Sequence, residues 1–289
     1  MKRRSFLKYS AGSLVGGLAL APVLTSDLSR LSGGQSRGIV GGRRAMERVG
    51  VQLYTVRALM AESVEDTLAT VAEIGYKEVE FAGYFDRSPN EIRELLAKSG
   101  LTAPSTHVGL PMTEDDLGML LEVSHAIGHD FITVPSLPAE FRESLDGFLR
   151  VSDRLNHVGA AAKKAGIKLA YHNHGWEFES MEGQVPYDLM LERTDPDLVD
   201  FQIDLFWAIE AGQDPVDYFE SHPGRFSSCH VKDMGEDGGM LEVGEGEIDF
   251  RSIFAHADTA GLKHYFVEHD WPEDPLQSIR TSYDYLSKM

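Results

Sequence analysis

The sequence predicts an α/β chain folded as a (β/α)8 TIM barrel, and three observations carry that prediction. Eight short apolar runs alternate with stretches punctuated as helices, the pattern of a parallel sheet. The 289 residues suit one closed barrel, which takes about 250, and would crowd two domains. Four late runs end in a metal-capable side chain: His172, Asp204, His230 and Glu268. The carboxyl ends of all the strands of a parallel barrel meet at one rim, so residues distant in sequence converge there.

The runs, in order, are Val49 to Tyr54, Glu78 to Phe81, Thr102 to His107, Phe131 to Val134, Ile167 to Tyr171, Val199 to Ile203, Phe226 to Val231 and Tyr265 to Glu268. Between the second and third, Ser88-Pro89-Asn90-Glu91 reads as an N-cap, a proline at the first helical position and the reciprocal partner of a capping box. That helix is expected to stop at Gly100. The same grammar marks Ser63 to Asp66 with Gly75 after it, and Asp214-Pro215 ahead of Val216 to Glu220. A longer helix is expected from Ser152 to Ala165, closed by Gly166. Gly244-Glu245-Gly246 lacks the following lysine of a phosphate loop and reads as a turn into a helix capped by Asp249.

Ahead of the barrel, residues 1–24 read as an export signal. Lys2-Arg3-Arg4-Ser5-Phe6-Leu7-Lys8 precedes an uncharged apolar stretch from Tyr9 to Leu24, and the paired arginines with Phe-Leu-Lys mark the twin-arginine type. The stretch is shorter than the roughly 20 residues that span a bilayer. Membrane contact is therefore expected only through this signal during export, with the mature protein periplasmic or otherwise extracytoplasmic. Ala19-Leu20-Ala21 resembles a cleavage site, although Pro22 follows it directly. Residues 25–46, rich in Gly, Ser and Arg, read as a flexible linker, and 47–289 as the barrel.

The chain carries 46 acidic against 27 basic residues, a net charge of −19. Such a field repels phosphate backbones and anionic lipid, so no nucleic-acid partner is expected. The single Cys229 excludes an internal disulfide. Lying one position before His230, it should point to the opposite face of its strand as an inert core residue. Nothing in the sequence decides between a monomer and a homo-oligomer.

Side-chain parity sharpens the rim residues, because inward positions alternate along a barrel strand. Gln202 shares a face with Asp204, Ser228 with His230, Phe266 with Glu268, and Ala170 with His172 and His174. Two imidazoles and two carboxylates at one rim suit a divalent metal.

Several segments then resemble a known family. They are Val51-Gln52-Leu53-Tyr54-Thr55-Val56-Arg57, Tyr171 to Glu177, Ile203-Asp204-Leu205-Phe206-Trp207, His230-Val231-Lys232-Asp233, Gly244-Glu245-Gly246-Glu247-Ile248-Asp249-Phe250 and Val267-Glu268. In this order they resemble the sugar phosphate isomerase/epimerase group of xylose isomerase-like TIM barrels, over roughly residues 48–287. The resemblance implies a divalent metal, Mn, Mg, Co or Zn, held by residues from strands five to eight. Asp204, His230 and Glu268 match the last three ligands. At the first position the family often has Glu-Asn-His, and this chain has His172-Asn173-His174. In ketose epimerases that Glu is both ligand and one of two bases. Here the expected metal set is His172, Asp204, His230 and Glu268, with Glu268 and His172 as the catalytic pair, unless Glu177 swings in to replace the missing Glu.

Around them, His107 and Glu80 face the same rim and are expected to contact substrate. His174 should reach substrate hydroxyls or orient His172. Lys232 should bind a substrate oxygen, or else pair with Asp204 or Asp233. Trp176, Phe206, Trp207 and Trp271 lie in or beside rim loops, where aromatic faces stack on sugar rings or simply pack beneath loops; Trp207 is assigned to substrate.

The leading expectation is an exported, metal-dependent sugar isomerase or epimerase that abstracts a proton next to a carbonyl of a sugar or keto-sugar. Its nearest rival is a lyase or dehydratase of the same fold, acting on 3-keto-glycosides or an inosose; from another class comes a non-catalytic sugar-binding protein. An abasic-site endonuclease of the same superfamily is disfavoured by the acidity. No cluster of Arg or Lys marks a phosphate site.

Overall fold

The computed structural model describes residues 49–289. The expected export signal and linker lie outside the described residues. All eight expected strands form: β1 (Val49–Gln52), β2 (Glu78–Phe81), β3 (Thr102–His107), β4 (Phe131–Val134), β5 (Lys168–His172), β6 (Val199–Asp204), β7 (Phe226–Val231) and, after two short strands, β10 (His264–Val267). They pair in parallel, each with its sequence neighbour, and β10 closes the ring against β1. The last residues of β5 and β6 are His172 and Asp204 themselves, so these two side chains project from rigid sheet rather than from loops.

Closure depends on one small residue. Gly50 pairs with Glu78 on one side and Phe266 on the other, and a Cβ there would lie 2.6 Å from the Phe266 ring. Most strand positions are buried, as expected where helices cover the outer face of a barrel and side chains fill its interior. The outward residues, among them Val79, Ile132, Leu169, Phe201, Ile203 and Val231, join Leu68, Ile92, Leu155 and Ile279 of the helices in the apolar core. Cys229 belongs to that core, reduced and fully buried, as parity requires.

The helix signals hold in detail. Ser88 and Glu91 form the capping box, and Gly100 ends that helix (Pro89–Ser99) in the left-handed conformation. Ser63, Asp214 and Asp249 each cap the helix that follows. The long helix is an exception: it runs Leu145–Lys164, with Ser144 as its N-cap, and so begins well before Ser152. Gly147 weakens the helical signal of that first turn. The structure needs a glycine there, because a Cβ would collide with the carbonyl oxygen of Phe141.

Between β7 and β10 the chain makes an antiparallel pair, β8 (Asp233–Met234) and β9 (Met240–Leu241), too short to leave a periodic trace. Its organiser is Asp233. Buried to 1% exposure, the carboxylate accepts the backbone N–H groups of Met234, Gly244, Gly246 and Ile248 at 2.8–3.1 Å. The expected Gly244–Gly246 turn is thus wrapped around a buried anion. No helix among the described residues is long and apolar enough to cross a membrane.

Candidate metal centre

His172, Asp204, His230 and Glu268 converge at the carboxyl end of the barrel, all buried, with one ligand atom of each within 4.8 Å of the others. His172 Nε2 lies 3.2 Å from Asp204 Oδ2. His230 Nδ1 lies 2.8 Å from Glu268 Oε2 and 3.7 Å from Asp204 Oδ2. Asp204 has two duties, since its Oδ1 accepts the backbone N–H of Trp207 at 3.1 Å and caps the helix Leu205–Glu210. Asn173 clamps the ends of β5 and β6 together, accepting from the Asp204 N–H and donating to its carbonyl.

These residues fit a metal by how the imidazoles are held. Each ring has its outer nitrogen tied down and its inner nitrogen aimed at the shared carboxylates. His172 Nδ1 meets the carbonyl of Pro135 at 3.3 Å, and His230 Nε2 meets Glu80 Oε2 at 2.6 Å. A carbonyl or carboxylate behind a histidine is the usual support for a metal-ligating ring. Burial pushes His172 down to about 4, so it is a neutral donor. Burial also opposes a charge on His230, but Glu268 and then Glu80 raise it to about 10. A proton there supplies positive charge between two carboxylates, charge that a divalent ion can supply instead. Lys232, and to a smaller degree the histidines, overcome burial to keep Asp204 and Glu268 ionised, well below the usual carboxylate range.

Lys232 shares that anionic pocket. Its ammonium lies 2.9 Å from Asp204 Oδ2, 2.6 Å from Glu268 Oε2 and 3.1 Å from Asp270 Oδ1. Of the two partners expected for it, Asp204 is taken and Asp233 is not, because successive strand residues face opposite sides. Asp270 was not expected in the site. Its signal was available, since it stands two positions beyond Glu268 and so on the same side of the chain. Burial raises its carboxyl to about 6 against the pull of Lys232, with Glu268 and Asp204 adding to the rise.

Two expectations change. Glu80, expected to touch substrate, has no exposed surface, and its oxygens are taken by Gln52, Ser105, Gln202, His230 and His107. It braces His230 from below. Glu177, the alternative replacement for the missing Glu, is also fully buried; it accepts the Tyr171 hydroxyl and the His174 N–H, both at 2.7 Å, and does not join the cluster. His107 lies beside the cluster and groups with Glu80 and His230, stacked on His230 with centroids 5.1 Å apart and Nε2 2.8 Å from Gln202 Oε1. His174 and Trp207 stand beside it, their rings 5.9 Å apart.

Glu177 carries a pH signature. Burial raises its carboxyl to about 8, above its value in the unfolded chain, so its ionisation costs stability progressively from about pH 4.5 to 8. Glu177→Gln is expected to leave the melting temperature near native at pH 5 and to raise it at pH 9, by an amount worth roughly 2–4 kcal/mol. Thermal denaturation across that range checks the sign; a variant less stable than native at pH 9 would refute it.

Comparison with known proteins agrees with this architecture. A family model described as "Xylose isomerase-like TIM barrel" matches residues 68–289. Among curated proteins, an inosose dehydratase of Geobacillus kaustophilus is 26% identical over 65% of this chain and 67% of its own length, and one of Lacticaseibacillus casei is 22% identical over 78% and 87%. A solved sugar phosphate isomerase/epimerase from Parabacteroides distasonis superposes with a TM-score of 0.72 at 27% identity, covering 83% of this chain and 93% of that one.

Proposed function

Since the chain belongs to the xylose isomerase-like TIM barrel family, we propose that it is a metal-dependent lyase that eliminates a β-substituent from a keto-sugar or a ring ketone of the inosose type. The observation that carries this reading is the contact between Glu268 and the Lys232 ammonium, 2.6 Å apart in a buried pocket. Elimination needs one base and one acid. Two-base epimerisation instead asks for a second carboxylate, and Glu177, the nearest substitute, faces away.

The ion would be held by His172, Asp204, His230 and Glu268; the two imidazoles favour Zn, Co or Mn over Mg, which takes oxygen ligands. Bound there, it would polarise the substrate carbonyl and acidify the adjacent C–H. Glu268 takes that proton. The electron pair left on carbon forms the double bond as the β C–O bond breaks, and Lys232, kept protonated by Asp204, Asp270 and Glu268 despite burial, donates to the departing oxygen. Glu268 then returns the proton to Lys232 across their contact, so both regain their starting states. Names of relatives support this reading, since the curated matches include inosose dehydratases.

An isomerase or epimerase is the second reading. It rests on the solved isomerase/epimerase relative, and it would need His172, neutral in the cluster, to leave the metal set and act as the second base. Incubation of the metal-loaded protein with an inosose in D2O, followed by NMR, separates the two. The lyase yields the dehydrated ketone or its tautomer; deuterium entering next to the carbonyl without loss of water would replace the lyase by the isomerase. Chelation is expected to abolish turnover and lower the melting temperature, with both restored by Mn, Co or Zn. Turnover that survives chelation would sink the metal assignment. We further propose that the N-terminal Lys2-Arg3-Arg4-Ser5-Phe6-Leu7-Lys8 segment is a twin-arginine leader, in which case the reaction takes place outside the cytoplasm.

A further inference from the structure

Beyond the metal cluster the rim carries a ladder of rings that the proposed elimination leaves unused. His174 stands edge-on to His172 with centroids 5.0 Å apart. The Trp207 indole follows at 5.9 Å, and Trp271 stands edge-on to Trp207 at 6.5 Å. Exposure rises along the ladder from 2% at His172 to 67% at Trp271.

Trp271 is exposed but anchored. Its backbone N–H meets His269 Nδ1 at 3.3 Å, the carbonyl of Asp270 accepts Arg57 Nη2 at 2.9 Å, and the Asp270 carboxylate holds Lys232. An exposed indole carried on an anchored backbone at the mouth of a site offers a flat face. Two polar atoms of the ladder, His174 Nδ1 and Trp207 Nε1, are shut off from solvent and have no hydrogen-bond partner among the described residues, a condition that calls for a ligand or an ordered water. A donor and a ring nitrogen beside flat apolar faces match a ring with hydroxyl groups. Trp271, the exposed ring, is the third ring contact out from His172.

We propose that Trp271, with Trp207 and His174, forms a subsite for a second sugar ring attached to the one that reacts. This inference rests on the lyase reading and narrows its substrate to a glycoside of a keto-sugar. The C–H face of the second ring lies on Trp271, and sugar hydroxyls serve Trp207 Nε1–H and His174 Nδ1. In the reaction the proton next to the carbonyl goes to Glu268, its electron pair forms the C=C bond, the C–O bond to the second sugar breaks, and Lys232 protonates that oxygen. The products are an unsaturated keto-sugar and a free sugar.

The test measures binding of a glucosyl glucoside, methyl glucoside and phenyl glucoside by calorimetry; none carries the carbonyl that elimination needs. The glucosyl glucoside is expected to bind on the order of tenfold more tightly than the methyl compound, with the ratio falling to about one in Trp271→Ala, whose fold is checked by its melting curve. Equal affinities in the native protein, or a ratio that survives Trp271→Ala, would overturn the subsite. Tighter binding of phenyl glucoside than of glucosyl glucoside would overturn its assignment to a sugar. Turnover of the corresponding 3-keto compounds tests the reaction separately: a ring preference without release of the second sugar removes the lyase reading and keeps the subsite, and elimination from an inosose without any ring preference does the reverse.

Discussion

Glu268→Gln is expected to lower kcat by roughly 10³-fold, the scale of a lost general base, at metal concentrations that keep the site full. The amide keeps an oxygen at the position of Oε2 but cannot take a proton. It also withdraws one of the three carboxylates around Lys232, so the metal is expected to bind more weakly as well. The two effects separate experimentally. Metal content by mass spectrometry reports the ligand role, and kcat at saturating metal reports the base. Recovery of native kcat once the site is refilled would reduce Glu268 to a ligand and remove the base from the mechanism. The arrangement behind this expectation is a carboxylate and an ammonium in contact, both kept charged in a buried pocket by their neighbours.

Asp233→Ala is expected to cost about 3–5 kcal/mol of stability and to lower the melting temperature by roughly 10 °C. Removing the buried anion leaves four backbone N–H groups without their acceptor, that of Ile248 buried and those of Met234, Gly244 and Gly246 partly so, and loss of one partner from a charged network of this kind carries penalties of that size. Gly246→Ala attacks the same device from the other side, since its Cβ would collide with Asp233 Oδ1 and the Met234 carbonyl oxygen. Both variants are also expected to lose activity, because Asp233 adjoins Lys232 in the chain. Melting temperatures within a degree of native for both would show that the β8–β9 loop does not depend on the buried carboxylate.

Much of this molecule could be read in one dimension because its determinants are local. Apolar runs of strand length, Ser and Asp caps, and terminal glycines act within a few residues of their own position, and Ser63, Ser88, Asp214 and Asp249 all cap as read. Alternation along β6 and β7 sufficed to put Gln202 with Asp204 and Ser228 with His230 inside the barrel, where Gln202 meets Glu80 and Ser228. The early start of the helix Leu145–Lys164 escaped because its glycine answers to a contact with Phe141, not to local propensity. Asp270 lies past the end of its strand at Val267, outside the apolar run that marks the strand in the sequence, and the partners of Asp233 are backbone groups, which carry no side-chain signature.

The sequence by itself determined the order of strands and helices, the closed barrel that this order implies, and which side chains reach its carboxyl rim. Only the tertiary structure decided what those side chains do to one another. Glu80 turns to His230, 150 residues away, and so braces that ring from below, with no surface left for substrate. Glu177 turns to Tyr171 and His174, away from the cluster, and Lys232 chooses Asp204, Glu268 and Asp270 over its neighbour Asp233. The physical reason is common to all three. A buried polar group must find its partner within hydrogen-bond reach, and which groups lie within reach is set by the packing of strand ends that the chain brings together from far apart.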